Sequence, residues 1–127
     1  MRMKVIDDAS GRWINDAYNS NPDSAQALID WLHSLQLDEL VVVLADMLEL
    51  GASGPQLHRE LLEHARRQLP TAHIVAIGPL MTDAAGGLVD ACHDNADAAR
   101  DSIRALAAAG AVVALKGSRG MRLEAIL

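Results

Sequence analysis

The sequence predicts a three-layer α/β domain: a mostly parallel sheet with helices on both faces, entered through an antiparallel hairpin strand. Three observations carry this expectation. Strand-like and helix-like stretches alternate from residue 12 to the end, the order that builds parallel strands joined by crossover helices. Two runs, Leu40-Val41-Val42-Val43-Leu44 and Ala111-Val112-Val113-Ala114-Leu115, are apolar without interruption, as strands covered on both faces must be. Polar clusters follow strands at residues 15–21, 46–49 and 116–119, and ligands of such sheets sit beyond the carboxyl ends of the strands.

The chain opens with Lys4-Val5-Ile6-Asp7 as a short strand, and Asp8-Ala9-Ser10-Gly11 reads as a turn ending in a residue that tolerates positive φ. Residues 12–15 return as a second strand, with Trp13 and Ile14 suited to a pleated, packed surface. The polar run that follows ends in Asn21, a good N-cap; Pro22 fits the first helical position, and Asp23 and Ser24 favour its positive end. A helix is predicted from there to Leu35, burying Ala25, Leu28, Ile29, Leu32 and Leu35.

After the apolar run at 40–44, a Ser53-Gly54-Pro55 break precedes a second helix over residues 56–69, with Leu57, Leu61, Leu62, Ala65 and Leu69 at helical spacing and Pro70 as its stop. Residues 73–77 form the next strand, ended by Gly78-Pro79, with a short helix over 80–85 and a weak edge strand over 88–92. Asp94 or Asn95 caps a helix reaching residue 109 with Ala99, Ile103 and Leu106 inward. The strand at 111–115 leads into the loop 116–120, and Met121 starts a helix that the chain end cuts short.

Composition narrows the function classes. The 127 residues suffice for one domain, and no internal repeat or linker divides them. Half are apolar, yet the aromatics number only two Trp and one Tyr, so the core is built from aliphatic side chains and alanine. A formal charge of −6 argues against nucleic-acid or anionic-membrane surfaces. The single Cys92 leaves no internal disulfide, fits a reducing compartment and reads as a small hydrophobe. No run approaches the roughly 18 apolar residues of a membrane span, and a cytoplasmic location is expected.

Lys116-Gly117-Ser118-Arg119-Gly120 leaves a buried strand with two glycines, a hydroxyl and two cations suited to a carboxylate or phosphate. It lacks the residue order of a Walker A loop. The bland reading is a solvated turn with two surface cations. Asp46, just past a central strand, either faces solvent, a metal or a partner donor, or caps the turn that follows it. His58 and Glu60 lack the second helical ligand of a metal site, since Leu61 and Leu62 stand one turn on. His33, His64, His73 and His93 are scattered, and Met47, Met81 and Met121 read as core filler. A phospho-acceptor receiver would also combine Asp7, Asp8, Asp46 and Lys116, but it needs a helix directly after the acid pair. Ser10-Gly11 turns the chain into another strand instead.

Three motifs in order, Asn15-Asp16-Ala17-Tyr18-Asn19-Ser20-Asn21-Pro22-Asp23-Ser24, Val43-Leu44-Ala45-Asp46-Met47-Leu48-Glu49-Leu50-Gly51 with His58 downstream, and Leu115-Lys116-Gly117-Ser118-Arg119-Gly120-Met121, closely resemble the C-terminal domain of the Mur ligases. They span nearly the whole chain. One departure is Ala45, where the family usually has Gly before Asp-Met, which would crowd the backbone slightly.

The resemblance implies a Rossmann-like third domain of an ATP-dependent carboxylate–amine ligase of peptidoglycan synthesis, without its N-terminal and central ATPase domains. Among the family, the similarity is greatest to the member that adds D-alanyl-D-alanine to UDP-MurNAc-tripeptide. There ATP activates a peptide carboxylate as an acyl phosphate, the dipeptide amine attacks it, and a tetrahedral intermediate expels phosphate. Mg²⁺ and most of the phosphoryl chemistry would belong to the central domain, so the isolated domain would be inactive and hold no metal. On the matching motifs, Asp16, Tyr18, Asn19 and Asn21 would face ATP, and Asp46, Lys116, Ser118 and Arg119 the dipeptide and reacting phosphate. A free-standing nucleotide- or dipeptide-binding module without catalysis is the alternative.

Overall fold

The opening hairpin forms as its turn residues dictate. In the computed structural model, which describes residues 3–127, β1 (Lys4–Asp8) and β2 (Gly11–Asp16) pair antiparallel, with Val5 opposite Ile14 and Asp8 opposite Gly11. Asp8 closes the turn by accepting the Ser10 hydroxyl at 2.6 Å and the Ser10 N–H at 2.8 Å, and these bonds hold its carboxyl below the usual range.

Helix α1 (Pro22–Leu35) starts on a reciprocal cap: Asn21 Oδ1 accepts the Ser24 N–H at 2.9 Å, and Ser24 Oγ accepts the Asn21 N–H at 3.2 Å. There follow β3 (Leu40–Ala45), α2 (Gly54–Gln68), β4 (His73–Ile77), α3 (Pro79–Ala84), β5 (Ala91–His93), α4 (Ala96–Ala108) and β6 (Val112–Lys116). The sheet order is β1-β2-β6-β3-β4-β5, and every pair after the first is parallel.

Two apolar layers sandwich this sheet. Ile14, Val42, Leu44, Ile74, Ala76 and Ala114 face α1, α2 and α3, whose Leu28, Ile29, Leu32, Leu61, Leu62 and Met81 close over them. The alternate residues Trp13, Val41, Val43, Val75, Val113 and Leu115 face α4 and the C-terminal segment. Every residue of β3 is buried because the pleat sends neighbours into different layers, so a period of two is hidden inside an unbroken apolar run.

Several expectations need correction. Leu35 does not join the buried stripe of α1: it is 41% exposed, one residue before the left-handed Gln36 that ends the helix, and lines a shallow groove with Val5 and Trp31. Leu57 is only half-buried, and Leu106 packs against the α4-side layer half-buried, beside the fully buried Ala107. The edge strand lies at Ala91–His93 rather than 88–92, because the preceding residues are consumed elsewhere. Leu88 N–H closes a turn on Ala85, and the Asp90 carboxylate accepts from Ile74 N–H and Arg66, each at 2.8 Å. Cys92 is therefore an exposed edge residue, not a core hydrophobe.

The chain does not end in an α-helix either. Left-handed Arg122 (φ 56°) separates two 3₁₀ turns, Arg119–Met121 and Leu123–Ile126. In the second, residues three apart share a face, which sends both Leu123 and Ile126 into the α4 layer.

Candidate functional site

Register places the charges. Parallel pairing sets Asp16, the last residue of β2, beside Lys116, the last residue of β6, and Lys116 beside Leu44 of β3. Each of these strands then releases its loop on the same rim.

Lys116 Nζ donates to Asp16 Oδ2 and to the Asn19 carbonyl, both at 2.9 Å. The two side chains are only 4% and 10% exposed. Buried charge is tolerated there because it is paired and further hydrogen-bonded. The consequence is mechanical: the ammonium ties the 17–21 loop to the end of β6. Asp16 and Lys116, read from the sequence as ligand contacts, thus first hold each other. They also floor a pocket of about 220 Å³ walled by Met3, Ala27, Leu28 and Trp31.

The 46–49 loop is held from three sides. Asp46 N–H donates to Ile77 O and its carbonyl accepts Ser118 N–H at 3.2 Å. Its carboxylate points away from the rim loops, accepting Leu80 N–H at 3.1 Å and Met81 N–H at 2.7 Å at the start of α3. That geometry requires Gly78, with φ +104°, since a Cβ there would stand 2.5 Å from the Asp46 carboxyl carbon. Asp46 therefore meets partner donors, the backbone N–H groups that open α3, rather than capping the turn that follows it. Met47 N–H donates to His58 Nε2 at 2.9 Å, and Leu48 N–H to Ser118 Oγ at 2.8 Å. The Ser118 hydroxyl accepts in that bond and keeps its own proton to donate.

Outward from this scaffold, the Arg119 guanidinium lies 5.3 Å from the centroid of the Tyr18 ring, a cation–π contact joining the 116–120 and 17–21 loops. Both line an open cleft of about 320 Å³ with Lys4, Asn15, Ala17 and Glu124. Asn19 is exposed, its Oδ1 accepting Ser20 N–H at 2.9 Å, whereas Asn21 is occupied as the α1 cap. A cavity of about 330 Å³ at the opposite end of the sheet, between the ends of α1 and α2, shows that volume alone does not mark the site. Charge and loop convergence do. No group of three or more His, Cys, Asp or Glu suited to a metal ion occurs among the described residues.

Residues 1–119 match the family model described as Mur ligase, glutamate ligase domain. The chain belongs to the Mur ligase family. Two curated proteins named UDP-N-acetylmuramoyl-tripeptide--D-alanyl-D-alanine ligase align with it. The Rickettsia prowazekii protein is 35% identical over 63 residues, 50% of this chain and 14% of its own length. The Bacillus subtilis protein is 44% identical over 62 residues, 47% of this chain and 14% of its own. A crystal structure of MurF from Acinetobacter baumannii superposes with a TM-score of 0.81 at 28% identity, covering 97% of this chain and 28% of that one. This Mur ligase domain therefore spans little more than a quarter of the solved relative.

Within the Mur ligase domain the departure at Ala45 has a specific neighbour. Its methyl fills the space beside Gly117, where an added Cβ would meet Ala45 Cβ at 2.6 Å and Leu123 Cδ1 at 3.0 Å. Ala45 is accommodated because residue 117 has no side chain. The sequence reading missed His58 as a support of the 46–49 loop and the mutual pairing of Asp16 with Lys116. The second had a visible signal, opposite charges at the ends of two strands. For the first, the sequence paired His58 with the 43–51 motif only through the family resemblance, and only the fold, bringing α2 under that loop, shows the contact.

Proposed function

We propose that this chain is the C-terminal domain of an ATP-dependent ligase that adds D-alanyl-D-alanine to UDP-MurNAc-tripeptide, closing over ATP and presenting the dipeptide amine. The observation that carries the proposal is the convergence of the loops after β2, β3 and β6, cross-tied by Lys116, Ser118 and Arg119, in a domain built like that of MurF.

The groups on these loops suit the task, with Tyr18, Asn19 and Arg119 exposed and Ser118 buried beside them. Tyr18 and Asn19 offer an aromatic face and an amide to the base and ribose of ATP. Arg119 offers a forked donor to the dipeptide carboxylate, and Ser118 a hydroxyl proton beside it. Asp16 and Lys116 keep the nucleotide-facing loop in place. In this reading Mg²⁺ is held mainly by the part of the ligase outside this domain, through its own carboxylates and the ATP phosphates. ATP supplies the activation of the carboxylate. This domain's share is positioning and exclusion of water.

The test is Arg119→Ala in the full-length ligase carrying this domain. The KM for D-alanyl-D-alanine rises about tenfold or more while the KM for ATP stays within about twofold. An unchanged dipeptide KM would reject the assignment. The 127-residue chain alone should hydrolyse no ATP, and calorimetry should find only weak binding of ATP analogues and of the dipeptide. Tight binding or turnover by the isolated chain would favour a free-standing module.

A further inference from the structure

We infer that His58 is a positioning residue for the ligation site, setting the Ser118 hydroxyl in place through the backbone of the 46–49 loop. The inference rests on the ligase reading above and names a residue on a different element, α2, that meets no substrate. His58 is completely buried, 0% exposed. Its Nδ1 lies 2.6 Å from the carbonyl of Gly54, one helical turn back. A carbonyl only accepts, so Nδ1 carries the proton and Nε2 presents its lone pair to Met47 N–H at 2.9 Å. Both ring nitrogens are thereby occupied, and the ring has no free nitrogen for a metal or for proton transfer. What remains is geometry.

Two successive backbone donors of the loop are each held by one side chain: Met47 N–H by His58 from below, Leu48 N–H by Ser118 from across the rim at 2.8 Å. Glu49 follows with φ +70°, an uncommon conformation for a residue with a side chain. The preceding residue is anchored too, since Asp46 bonds Ile77, Ser118, Leu80 and Met81. Loss of the imidazole acceptor leaves Met47 N–H buried without a partner, and the loop must turn to satisfy it. Because Leu48 N–H moves with that turn, the orientation of the Ser118 hydroxyl moves as well.

Two substitutions separate positioning from mere support of the core. In His58→Gln, the side-chain oxygen reaches the place of Nε2 and still accepts Met47 N–H. In His58→Asn, the amide reaches the place of Nδ1, keeps the Gly54 contact and stops short of the loop. Each is measured in the full-length ligase beside Ser118→Ala and the His58→Asn/Ser118→Ala double variant, with kcat, both KM values and thermal melting. The expected result is a rise of about tenfold in the dipeptide KM for His58→Asn and for Ser118→Ala. The double variant is no worse than the worse single one. His58→Gln stays within about threefold of wild type, although its melting point falls. A dipeptide KM that follows the melting point in both variants, or independent multiplying effects of His58→Asn and Ser118→Ala, would overturn the inference. If His58→Asn does not fold, the comparison passes to His58→Gln and His58→Leu, and equal dipeptide KM values in those two overturn it. A silent Ser118→Ala rejects the site assignment and the inference together. A Ser118→Ala effect with normal KM in His58→Asn rejects the inference alone.

Discussion

Replacing Lys116 by Met removes one half of a buried ion pair and should destabilise the domain severely. The pair is short, 2.9 Å, and its side chains are 4% and 10% exposed, so the remaining Asp16 carboxylate keeps little water and loses its cation. Breaking one side of such a pair costs about 3–5 kcal/mol, and the orphaned Asn19 carbonyl adds about 1 kcal/mol. With a urea slope of about 2 kcal/mol/M for a domain of this size, the unfolding midpoint should fall by roughly 2–3 M. Urea titrations of the 127-residue chain followed by circular dichroism would read this directly. Asp16→Leu combined with Lys116→Met leaves neither charge, between walls formed by Met3, Leu28 and Trp31, and should recover most of the loss. If Lys116→Met shifts the midpoint by less than about 0.5 M, or if the two substitutions are simply additive, the pair is not what ties the 17–21 loop to β6.

Gly117→Ala should cost about 1–3 kcal/mol by overpacking against Ala45, and Ala45→Gly in the same chain should restore most of it. A double-mutant cycle in urea measures that coupling, and zero coupling refutes the contact. Asp90 accepts Ile74 N–H and then the Arg66 guanidinium, which hold its carboxyl below the usual range. Its contribution is therefore present above the ordinary carboxylate pKa and lost as pH falls through the lowered folded value. Asp90→Asn should be less stable than wild type at neutral pH, with the gap narrowing below about pH 4. A gap constant from pH 7 to acid would remove Asp90 from the acid limb.

Much of the fold was legible because local rules agreed with the tertiary outcome. Asn21, Pro22 and Ser24 mark the start of α1 by hydrogen bonds that need nothing beyond the next turn. The runs at 40–44 and 111–115 could only be satisfied between two layers. Legibility failed where another element competed for the same residues. Asp90 is drawn to Ile74 and Arg66, which shortens β5, and Arg122 turns left-handed, which converts a helical pattern into two 3₁₀ turns.

The same division runs through the site. By itself, the order of residues determined an alternating α/β chain, the three polar loops after β2, β3 and β6, and the side chains available in them. Those are properties of short stretches: periodicity, capping and the charge that a strand end can carry. Only the tertiary structure decided which of these groups point outward and which hold each other. Asp16 with Lys116, and Met47 with His58, are separated in the chain by 100 and 11 residues and meet only through strand order and helix packing. A polar side chain takes the nearest partner that desolvation leaves it, and folding selects that partner.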